Sequence, residues 1–592
     1  LKGYDSHFII CNAHEFNSKK KIDVIAQNSE KFIMFGFDNL QFKDSISFLS
    51  SSLDRLVGLS KYKDYDDIRS GKIAWKDREY LDNWKDNFKH SRNSPYVNND
   101  EDLDMLTDKG IYPYDYMNNW ERFNDTELPK KEDFYSKLYD EHISDDEYER
   151  AQLVWDRFKI KDMGEYHDLY LRTDVLLLTD IFENFRNLCM KYYGLDPAYY
   201  MTLPNFAWDA MLKKTNIKLD LVHDQDMYEM IEKGKRGGVC QVSSKYGKAN
   251  NKYMESYNQD IISSFLTYLD ANNLYGLAMC MKLPYGNLHW SNDIKTTDDV
   301  MKYEDNDVGY FLEVDLHYPK HLHDYHKDYP LAPEIMNVKE NMVSDISKEI
   351  YKEYHNGKDV KDEKSPKLLL TLYDKEKYVI HIRNLKYYLE KGLVLKRIHR
   401  CIKFSQSAWL KEWIDFNTEK RKEATNDFDK DLFKLMNNAV YGKTMEDVRG
   451  HVDFELVDTP QRMEKVLNAP TLKHRHILNE NLVGVEKIKP VMKLNKPIYI
   501  GVSILELSKL HMYKYHYDVM KKRYDDKIKL LYTDTDSFIY HIETEDLYKD
   551  FDDMKEHMDF SGYDKSHPSY DSTNKKVLGK FKDEHDGKIF TL

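Results

Sequence analysis

One short stretch constrains this chain more than any other part of its sequence. Residues 528–542 (IKLLYTDTDSFIYHI) carry two apolar runs on either side of a polar centre, residues 533–536. Because strand-forming runs around a tight polar centre are typical of β-hairpins, the stretch predicts two paired strands with acids at their tip. A second stretch, residues 261–279, runs from an apolar strand into Asp270 and then into a turn at residues 274–276.

Acidic residues at the ends of strands suggest a metal site. Two carboxylates on neighbouring strands can hold two divalent cations about 4 Å apart, which stabilises both oxygens of a phosphoryl transfer. Magnesium prefers oxygen ligands, so Asp270 and Asp536 with a nucleoside triphosphate would complete such a site. Acidic turns are common and most are only solvated, so this prediction depends on companion motifs.

A third stretch has the spacing of an amphipathic helix. Residues 418–441 (TEKRKEATNDFDKDLFKLMNNAVY) predict a helix with Thr418 as its N-cap. The helix would have one apolar face and one polar face. The apolar face carries Leu432, Met436 and Ala439, and the opposite face carries Lys434, Asn438 and Tyr441.

The composition is that of a large folded protein. The chain has 592 residues, a net charge of −14 and 41% hydrophobic residues, which predicts about four folding units. No apolar run approaches the roughly 18 residues that cross a bilayer, so no membrane partner is expected. Scattered cysteines without a CxxC pair argue against a zinc site or a disulfide framework. The acidic total still permits nucleic acid as a partner, because binding needs only a local basic groove.

Taken together, the stretches resemble the motifs of family B DNA polymerases, in that family's order. DANNLYG from Asp270 resembles motif A, KLMNNAVYG from Lys434 resembles motif B, and YTDTDS from Tyr532 resembles motif C. The motif B context (NNAVYGKTMED), Arg236-Gly237-Gly238 before motif A, and LGKFKDE (residues 578–584) are similar to the protein-primed branch of viruses and self-synthesising DNA transposons. Long spacers between the motifs also fit this branch.

The resemblance implies a fold: an α/β (α+β) multidomain chain. It would contain an RNase H-like exonuclease domain followed by a right-hand polymerase with palm and fingers. We expect a fragment truncated at both ends, without the first exonuclease motif and without the thumb. The implied segments are 1–194 (exonuclease-like), 195–276 (palm with motif A), 277–403 (insertion contacting a terminal protein), 404–447 (fingers with motif B), 448–496 (second insertion) and 497–592 (palm with motif C).

The resemblance also implies roles for single residues of the polymerase site. Asp270 and Asp536 would hold two Mg²⁺ ions, for which Mn²⁺ could substitute, and Asp534 would support them. Tyr275 would exclude a 2′-hydroxyl, and Lys434 would neutralise the triphosphate. The remaining implied contacts are the nascent base pair for Asn438 and Tyr441, a second phosphate contact for Arg421 or Lys422, and DNA for Arg236, Gly237, Gly238, Ser537, Lys580 and Lys582.

Two of these assignments have alternatives without a role in binding. Arg421 and Lys422 could equally form a solvated charge run, and Arg236-Gly237-Gly238 could be a glycine turn between domains. The chain also departs from the family pattern. Asn273 and Gly276 stand where motif A usually has Ser and Pro, Ala439 where motif B has Ser, and Lys235 where the branch often has Tyr.

The N-terminal third resembles the family's 3′–5′ exonuclease. Tyr170 and Asp174 match its third motif, on a helix predicted at about residues 167–192, where one turn brings both side chains to the same phosphate. Gly3-Tyr4-Asp5 resembles the end of its second motif. Because Asp5 and Asp174 supply only part of the expected carboxylates, we expect a crippled exonuclease.

We therefore expect a template-directed DNA polymerase that is primed by a protein. Its partners would be a DNA primer-template, deoxynucleoside triphosphates and a terminal protein. It would act inside a cell, in the nucleus or at a site of viral or mobile-element replication. The alternative is a non-catalytic DNA-binding relic of a mobile element or virus. RNA-templated synthesis is disfavoured, because such enzymes typically carry Tyr-x-Asp-Asp.

Overall fold

The computed structural model describes residues 5–12, 22–28, 31–37 and 39–588. Its α-helices are α1 (Asp5–Cys11), α2 (Leu53–Lys61), α3 (Tyr65–Arg69), α4 (Lys89–Arg92), α5 (Asp100–Leu106), α6 (Asp145–Arg157), α7 (Met163–Tyr193), α8 (Leu203–Thr215), α9 (Gln225–Lys233), α10 (Leu274–Met279), α11 (Thr297–Met301), α12 (His323–His326), α13 (Asp345–Tyr354), α14 (Ile382–Glu390), α15 (Lys411–Glu423), α16 (Asp427–Thr444), α17 (Pro460–Leu467), α18 (Ile498–Lys514), α19 (Lys521–Tyr524) and α20 (Leu547–Asp553). A π-helix, Tyr515–Met520, continues α18.

The strands are β1 (Asp23–Ala26), β2 (Phe32–Phe37), β3 (Leu40–Lys43), β4 (Cys240–Val242), β5 (Ser264–Ala271), β6 (Leu283–Trp290), β7 (Val308–His317), β8 (Glu334–Met336), β9 (Lys367–Leu369), β10 (Lys375–His381), β11 (Val394–Ser407), β12 (Asp453–Val457), β13 (Leu472–Asn479), β14 (Leu482–Lys487), β15 (Ile528–Asp534), β16 (Ser537–Glu543), β17 (Met558–Asp559) and β18 (Phe581–Asp583). The predicted mixture of helices and strands is therefore confirmed. Among the described residues, no helix has the length and apolarity needed to cross a membrane.

The chain divides into two compact units, fewer than the roughly four that its length predicted. The first comprises Leu1–Lys214, Phe416–Ala439 and Asp447–Lys493. The second comprises Thr215–Asp415, Val440–Glu446 and Leu494–Leu592. The finer division into six functional segments stays a prediction.

The first unit contains two small antiparallel sheets, with strand orders β1-β2-β3 and β12-β14-β13. One apolar cluster holds residues of both sheets, including Phe32, Phe35, Phe454 and Leu482. The long helix α7 confirms the helix predicted at about residues 167–192. It begins after Asp162, whose side chain accepts the Glu165 N–H, and ends at Gly194 with a φ of +62°.

The helix predicted at residues 418–441 is wrong as a single element. The structure has two helices, α15 and α16, separated by residues 424–426, and Thr418 lies inside α15. The side chain of Asn426 accepts the Asp429 N–H at 2.8 Å and so caps α16. Asparagine competes in this way for backbone groups that a continuous helix would use, which explains the break.

The second unit is built on a six-stranded sheet with the order β17-β18-β5-β16-β15-β4. The β17–β18 pair is parallel and the other pairs are antiparallel. A second sheet has the order β10-β7-β11-β6, and β8 pairs with β9. Helix α18 is buried along nearly its whole length, as its apolar sequence IYIGVSILEL requires.

Candidate active site

The pairing of β5 with β16 brings the predicted carboxylates together. Asp270 lies directly opposite Ser537, which in turn lies opposite Asp534 across the hairpin. Because opposite residues in an antiparallel pair share one face of a sheet, Asp534, Ser537 and Asp270 form a row. The backbone N–H of Ala271 donates to the carbonyl of Asp536 at 2.8 Å. Residues that are distant in sequence thus meet at one end of the sheet.

The hairpin between β15 and β16 has the predicted form, with acids at its tip. Thr535 adopts a φ of +53°, and the Asp536 N–H donates to the Asp534 carbonyl at 2.6 Å. The carboxylate of Asp534 accepts hydrogen bonds from the Thr535 hydroxyl at 3.2 Å and the Tyr532 hydroxyl at 3.4 Å. Ser537 is buried, and its hydroxyl donates to the Asp534 carbonyl at 3.2 Å. These bonds fix the tip in one conformation.

The two unusual residues after Asp270 fit one another. Asn273 has a φ of +42°, and its side-chain oxygen accepts the Gly276 N–H at 3.2 Å, which starts α10. A Cβ atom on Gly276 would lie 2.3 Å from the Asn273 amide nitrogen. Proline has no N–H to donate to Asn273, and its ring would meet the Asn273 amide, so this cap excludes proline at 276 and fits glycine.

Tyrosines of the motif A and motif B segments are in contact. The rings of Tyr275 and Tyr441 stack with centroids 4.6 Å apart at an angle of 24°. Burial raises the pKa of the Tyr275 phenol, and the charge of Asp536 adds to that shift. Burial also raises the pKa of Tyr441. The tyrosine pair therefore lies beside the carboxylate end of the sheet.

In the first unit, the predicted faces of α16 are as expected. Lys434 and Asn438 are exposed, whereas Leu432 and Met436 are buried. The exposed pair helps to line a cavity of about 270 Å³, whose other lining residues include Ser51, Arg55 and Asp431. The Arg55 guanidinium donates to Asp431 at 2.9 Å and to Asp66 at 2.7 Å.

Arg421 and Lys422 lie on α15, so neither shares a helix with Lys434 as the sequence predicted. Burial lowers the pKa of Arg421, an effect that the charge of Asp431 partly opposes. Lys422 is exposed to solvent. The placement of Lys422 agrees with the alternative of a solvated charge.

Arg236 does not have the surface position that a DNA contact needs. Its side chain is only 5% exposed, and its guanidinium lies 3.8 Å from the ring centroid of Tyr378 and 3.5 Å from the Glu506 carboxylate. It also donates to the Val379 carbonyl at 2.6 Å. The predicted DNA contact of the Arg236 side chain is therefore wrong: its guanidinium is held inside the unit by Glu506, Tyr378 and the Val379 carbonyl.

The two glycines that follow Arg236 differ from each other. Gly237 is exposed, with open space where a side chain would lie. A Cβ atom on Gly238 would lie 2.3 Å from the Thr535 hydroxyl oxygen. The Thr535 N–H donates to the Val239 carbonyl at 2.8 Å. Gly238 therefore packs directly against the acidic turn.

Lys580 and Lys582 belong to a segment that completes the sheet. Strand β18 pairs with β5 and places Lys582 directly opposite Asp270. The Lys582 ammonium lies 3.2 Å from the Asp586 carboxylate, and the Lys580 ammonium donates to the Glu556 carbonyl. Both lysines are half-buried.

Asp559 supports the site, and sequence reasoning missed it. Its carboxylate accepts the Asn272 side-chain amide at 2.7 Å and the backbone N–H groups of Lys576 and Ser561 at 2.9 and 3.0 Å. Asp559 is 1% exposed. It thus fixes the residue two positions after Asp270. Only the polar Asn272 beside an apolar strand signalled that a partner was needed.

The proposed exonuclease residues share a part of α7. Tyr170 stacks on Tyr112 with centroids 4.8 Å apart, and its hydroxyl lies 2.6 Å from that of Tyr114. Burial raises the pKa of Asp174, and a hydrogen bond from Tyr170 opposes part of that shift. The backbone of Asp5 starts α1, but its side chain lies outside the described structure, as do Gly3 and Tyr4.

The chemistry of the donor set fits magnesium. In the part of the chain that the structure describes, no group of three or more His, Cys, Asp or Glu residues could enclose a metal ion. Asp270, near the end of β5, and Asp536, in the turn before β16, nevertheless lie at the same end of the sheet and offer carboxylate oxygens. Magnesium usually takes one or two protein carboxylates and completes its shell with water and phosphate, so two aspartates suffice.

Comparison with known proteins identifies a family. Residues 100–521 match the model described as DNA polymerase type B, organellar and viral. This match confirms the resemblance to protein-primed family B polymerases that the motifs predicted. A comparison with curated protein sequences gave no match.

Solved structures of the phi29 DNA polymerase resemble this chain. Its orthorhombic crystal form aligns with a TM-score of 0.48 and 14% identity over 98% of this chain and 74% of that one. Its complex with primer-template DNA aligns with a TM-score of 0.46 and 14% identity over 98% of this chain and 73% of that one. Its ternary complex with primer-template DNA and incoming nucleotides aligns with a TM-score of 0.45 and 14% identity over 97% of this chain and 74% of that one. Because these TM-scores lie below 0.5, the family assignment rests on the sequence match over residues 100–521.

The fit between Asn273 and Gly276 can be tested by substitution. Gly276→Pro should lower the free energy of unfolding by about 1–3 kcal/mol, because the ring collides with the Asn273 amide and removes its hydrogen-bond donor. The double variant Asn273→Ser/Gly276→Pro should recover most of this loss. Urea unfolding of both variants measures the difference. Equal destabilisation in the single and double variants would contradict the coupling.

Proposed function

This chain belongs to the organellar and viral type B DNA polymerases, and we propose that it adds deoxynucleotides to a DNA 3′ end by two-metal phosphoryl transfer. The family supplies the DNA polymerase assignment, and the proposal concerns how the chain performs the reaction. One observation carries it: the pairing of β5 with β16, which brings Asp270 and Asp536 to one end of a sheet.

Asp270 and Asp536 would hold the metal ions. When bound, two Mg²⁺ ions would stabilise the negative charge on the attacking and leaving oxygens. The protein's own contribution is to hold both carboxylates in place before substrate arrives. The hydrogen bonds within the turn at Asp534 and the bond from Asn272 to Asp559 serve this purpose.

Other residues would bind and select the nucleotide. The Tyr275 ring, beside Asp536, would occupy the space that a 2′-hydroxyl needs. Lys434 would neutralise the triphosphate with its exposed ammonium, and Asn438, one turn further on the same face of α16, would contact the nascent base pair with Tyr441. The half-buried Arg421 would add a phosphate contact in a conformation that exposes its guanidinium.

The partners follow from the family and from the solved relatives. Phi29 polymerase binds primer-template DNA and incoming nucleotides in its ternary complex, and we propose the same partners here. We further propose that a terminal protein provides the priming hydroxyl and contacts the insertion at residues 277–403. Gly237, exposed next to the acidic turn, and Lys580 and Lys582, around Asp270, would face the primer terminus. Ser537 is buried and would act only by holding the Asp534 carbonyl. Replication of a viral or mobile element would be the setting.

The central test is extension of a primed template by the purified chain with Mg²⁺. Asp536→Asn should reduce extension by about a thousandfold or more, because one metal ligand is lost without a change in shape. Asp526→Asn is the matched control, because Asp526 is exposed on the same unit and outside the site. Extension that survives in Asp536→Asn would refute the assignment. A wild-type chain that binds DNA without extending it would favour the relic.

The role of Tyr275 concerns sugar selection. Tyr275→Ala should raise the ratio of ribonucleotide to deoxynucleotide incorporation by about ten- to a hundredfold, because removing the ring removes a clash. Tyr275→Phe keeps the ring and should keep the discrimination. Single-nucleotide insertion kinetics with matched ribo- and deoxyribonucleotides measure the ratio. Unchanged selection in the alanine variant would remove Tyr275 from this role.

We also propose a weak 3′–5′ exonuclease around Asp174. Its support is the close packing of Tyr170 and Asp174 on α7 with Tyr114. We propose only a residual rate of degradation. Among the described residues, Asp174 does not belong to any group of three or more acidic, His or Cys side chains that could hold a metal ion.

Degradation of a single-stranded 3′ end tests this second activity. Asp174→Asn should abolish the residual degradation, whereas Asp168→Asn, exposed on the same helix, should leave it unchanged. Because burial raises the pKa of Asp174, its carboxylate is protonated at a higher pH than an ordinary aspartate. The degradation rate should therefore fall already in mildly acidic buffer. Robust degradation that survives Asp174→Asn would show that another site is responsible.

A further inference from the structure

The segment at residues 235–239 (KRGGV) touches two parts of the candidate site. One end of the segment contacts the C-terminal end of α16, and the other contacts the acidic turn between β15 and β16. Every contact described below lies within the second unit. The burial of Arg236 leaves this segment without its expected DNA contact, so its contacts need another explanation.

Lys235 binds the end of α16. Its ammonium donates to the carbonyl of Met445 at 2.9 Å, immediately after the helix ends at Thr444. The last carbonyls of a helix lack partners and carry partial negative charge, so a cation there stabilises the final turn. Met445 lies one turn after Tyr441, and the Thr444 hydroxyl donates to the Tyr441 carbonyl at 2.8 Å. Lys235 therefore holds the turn that carries Tyr441.

Gly238 and Val239 bind the acidic turn. The Thr535 side chain occupies the space where a Cβ atom of Gly238 would lie, at 2.3 Å. The Val239 carbonyl accepts the Thr535 N–H at 2.8 Å, and the next residue, Cys240, pairs with Asp534. This end of the segment therefore sets the position of the residue between Asp534 and Asp536.

Arg236 anchors the segment between its two ends. Its side chain is enclosed by Tyr378 and Glu506 in the core. Its carbonyl accepts the ammonium of the buried Lys509 at 2.9 Å. Gly238 is three positions after Lys235, a span of about 10 Å in extended chain. With its middle fixed, the segment is a short rigid connection.

We propose that residues 235–239 are a positioning element that holds Tyr441 in register with Asp536. The inference rests on the proposed polymerase function. Tyr441 stacks on Tyr275, which lies beside Asp536. The segment therefore contacts both the helix turn of Tyr441, on the nucleotide side of the site, and the turn that carries Asp536. Lysine stands here where the branch often has tyrosine, and a neutral phenol cannot offer the helix end the same charge.

Steady-state extension kinetics of the full chain separate the two ends of the segment. Lys235→Met should raise the KM for the incoming deoxynucleotide about tenfold, the effect of one charged hydrogen bond, with a smaller change in kcat. Lys235→Arg should restore the KM. Lys245→Met, exposed nearby in the same unit, is the matched control and should be neutral. A purely structural role would instead lower the melting temperature and kcat and leave the KM unchanged.

The Gly238 end should respond differently. Gly238→Ala should lower kcat about tenfold or more, because the added methyl group displaces Thr535 and with it the carboxylates. Gly238→Ala/Thr535→Gly should recover most of the loss, since glycine frees the space and tolerates the positive φ. If the wild-type chain is active, an unchanged KM in Lys235→Met or a failure of the double variant to recover kcat would overturn this inference and leave the proposed function intact. An inactive wild type would overturn the proposed function as well.

Discussion

Antiparallel pairing of β5 with β16 is the interaction on which the rest of the site depends. A shift of one residue in this pairing would turn Asp270 to the opposite face of the sheet. The register is held by the buried face, where Leu269 lies opposite Phe538 and Thr267 opposite Tyr540. All four side chains are at most 3% exposed, so a slip would expose a large apolar area. Core packing thus fixes the position of a polar site.

The neighbours of this pair limit how the carboxylates can move. On one side β18 places Lys582 opposite Asp270, and on the other the turn of Asp534 is held by β4 and Gly238. Within the turn, the Asp534 carboxylate also accepts hydrogen bonds from the hydroxyls of Thr535 and Tyr532. The strand pairings and these bonds together hold the acidic end of the sheet in one arrangement.

The sequence predicted well those features whose causes are local. The hairpin tip at residues 533–536 and the polar face of α16 follow from the alternation of neighbouring residues, and the structure has both. Sequence reasoning missed one local feature, the cap at Asn426 that breaks the helix predicted at residues 418–441. Its other failures have distant causes. The family resemblance implied a DNA contact for Arg236, and its actual partner Glu506 lies far along the chain, where the sequence could not reveal it. Asp559 gave no signal of its role, since its contact with Asn272 exists only after the sheet has formed.

Contacts with neighbouring residues explain most of the departures from the family pattern. Asn273 and Gly276 replace the usual Ser and Pro together, and the structure shows that the asparagine side chain needs both the N–H and the empty space of glycine. Lys235 stands where the branch often has tyrosine, and its ammonium binds a helix end that favours its charge. The changes at positions 235, 273 and 276 thus have partners within a few ångströms, Ala439 has no structural explanation, and Asp270, Asp534 and Asp536 are all present. A decayed relic would accumulate changes without such partners near the carboxylates, so the three compensated changes support the proposed polymerase over the relic.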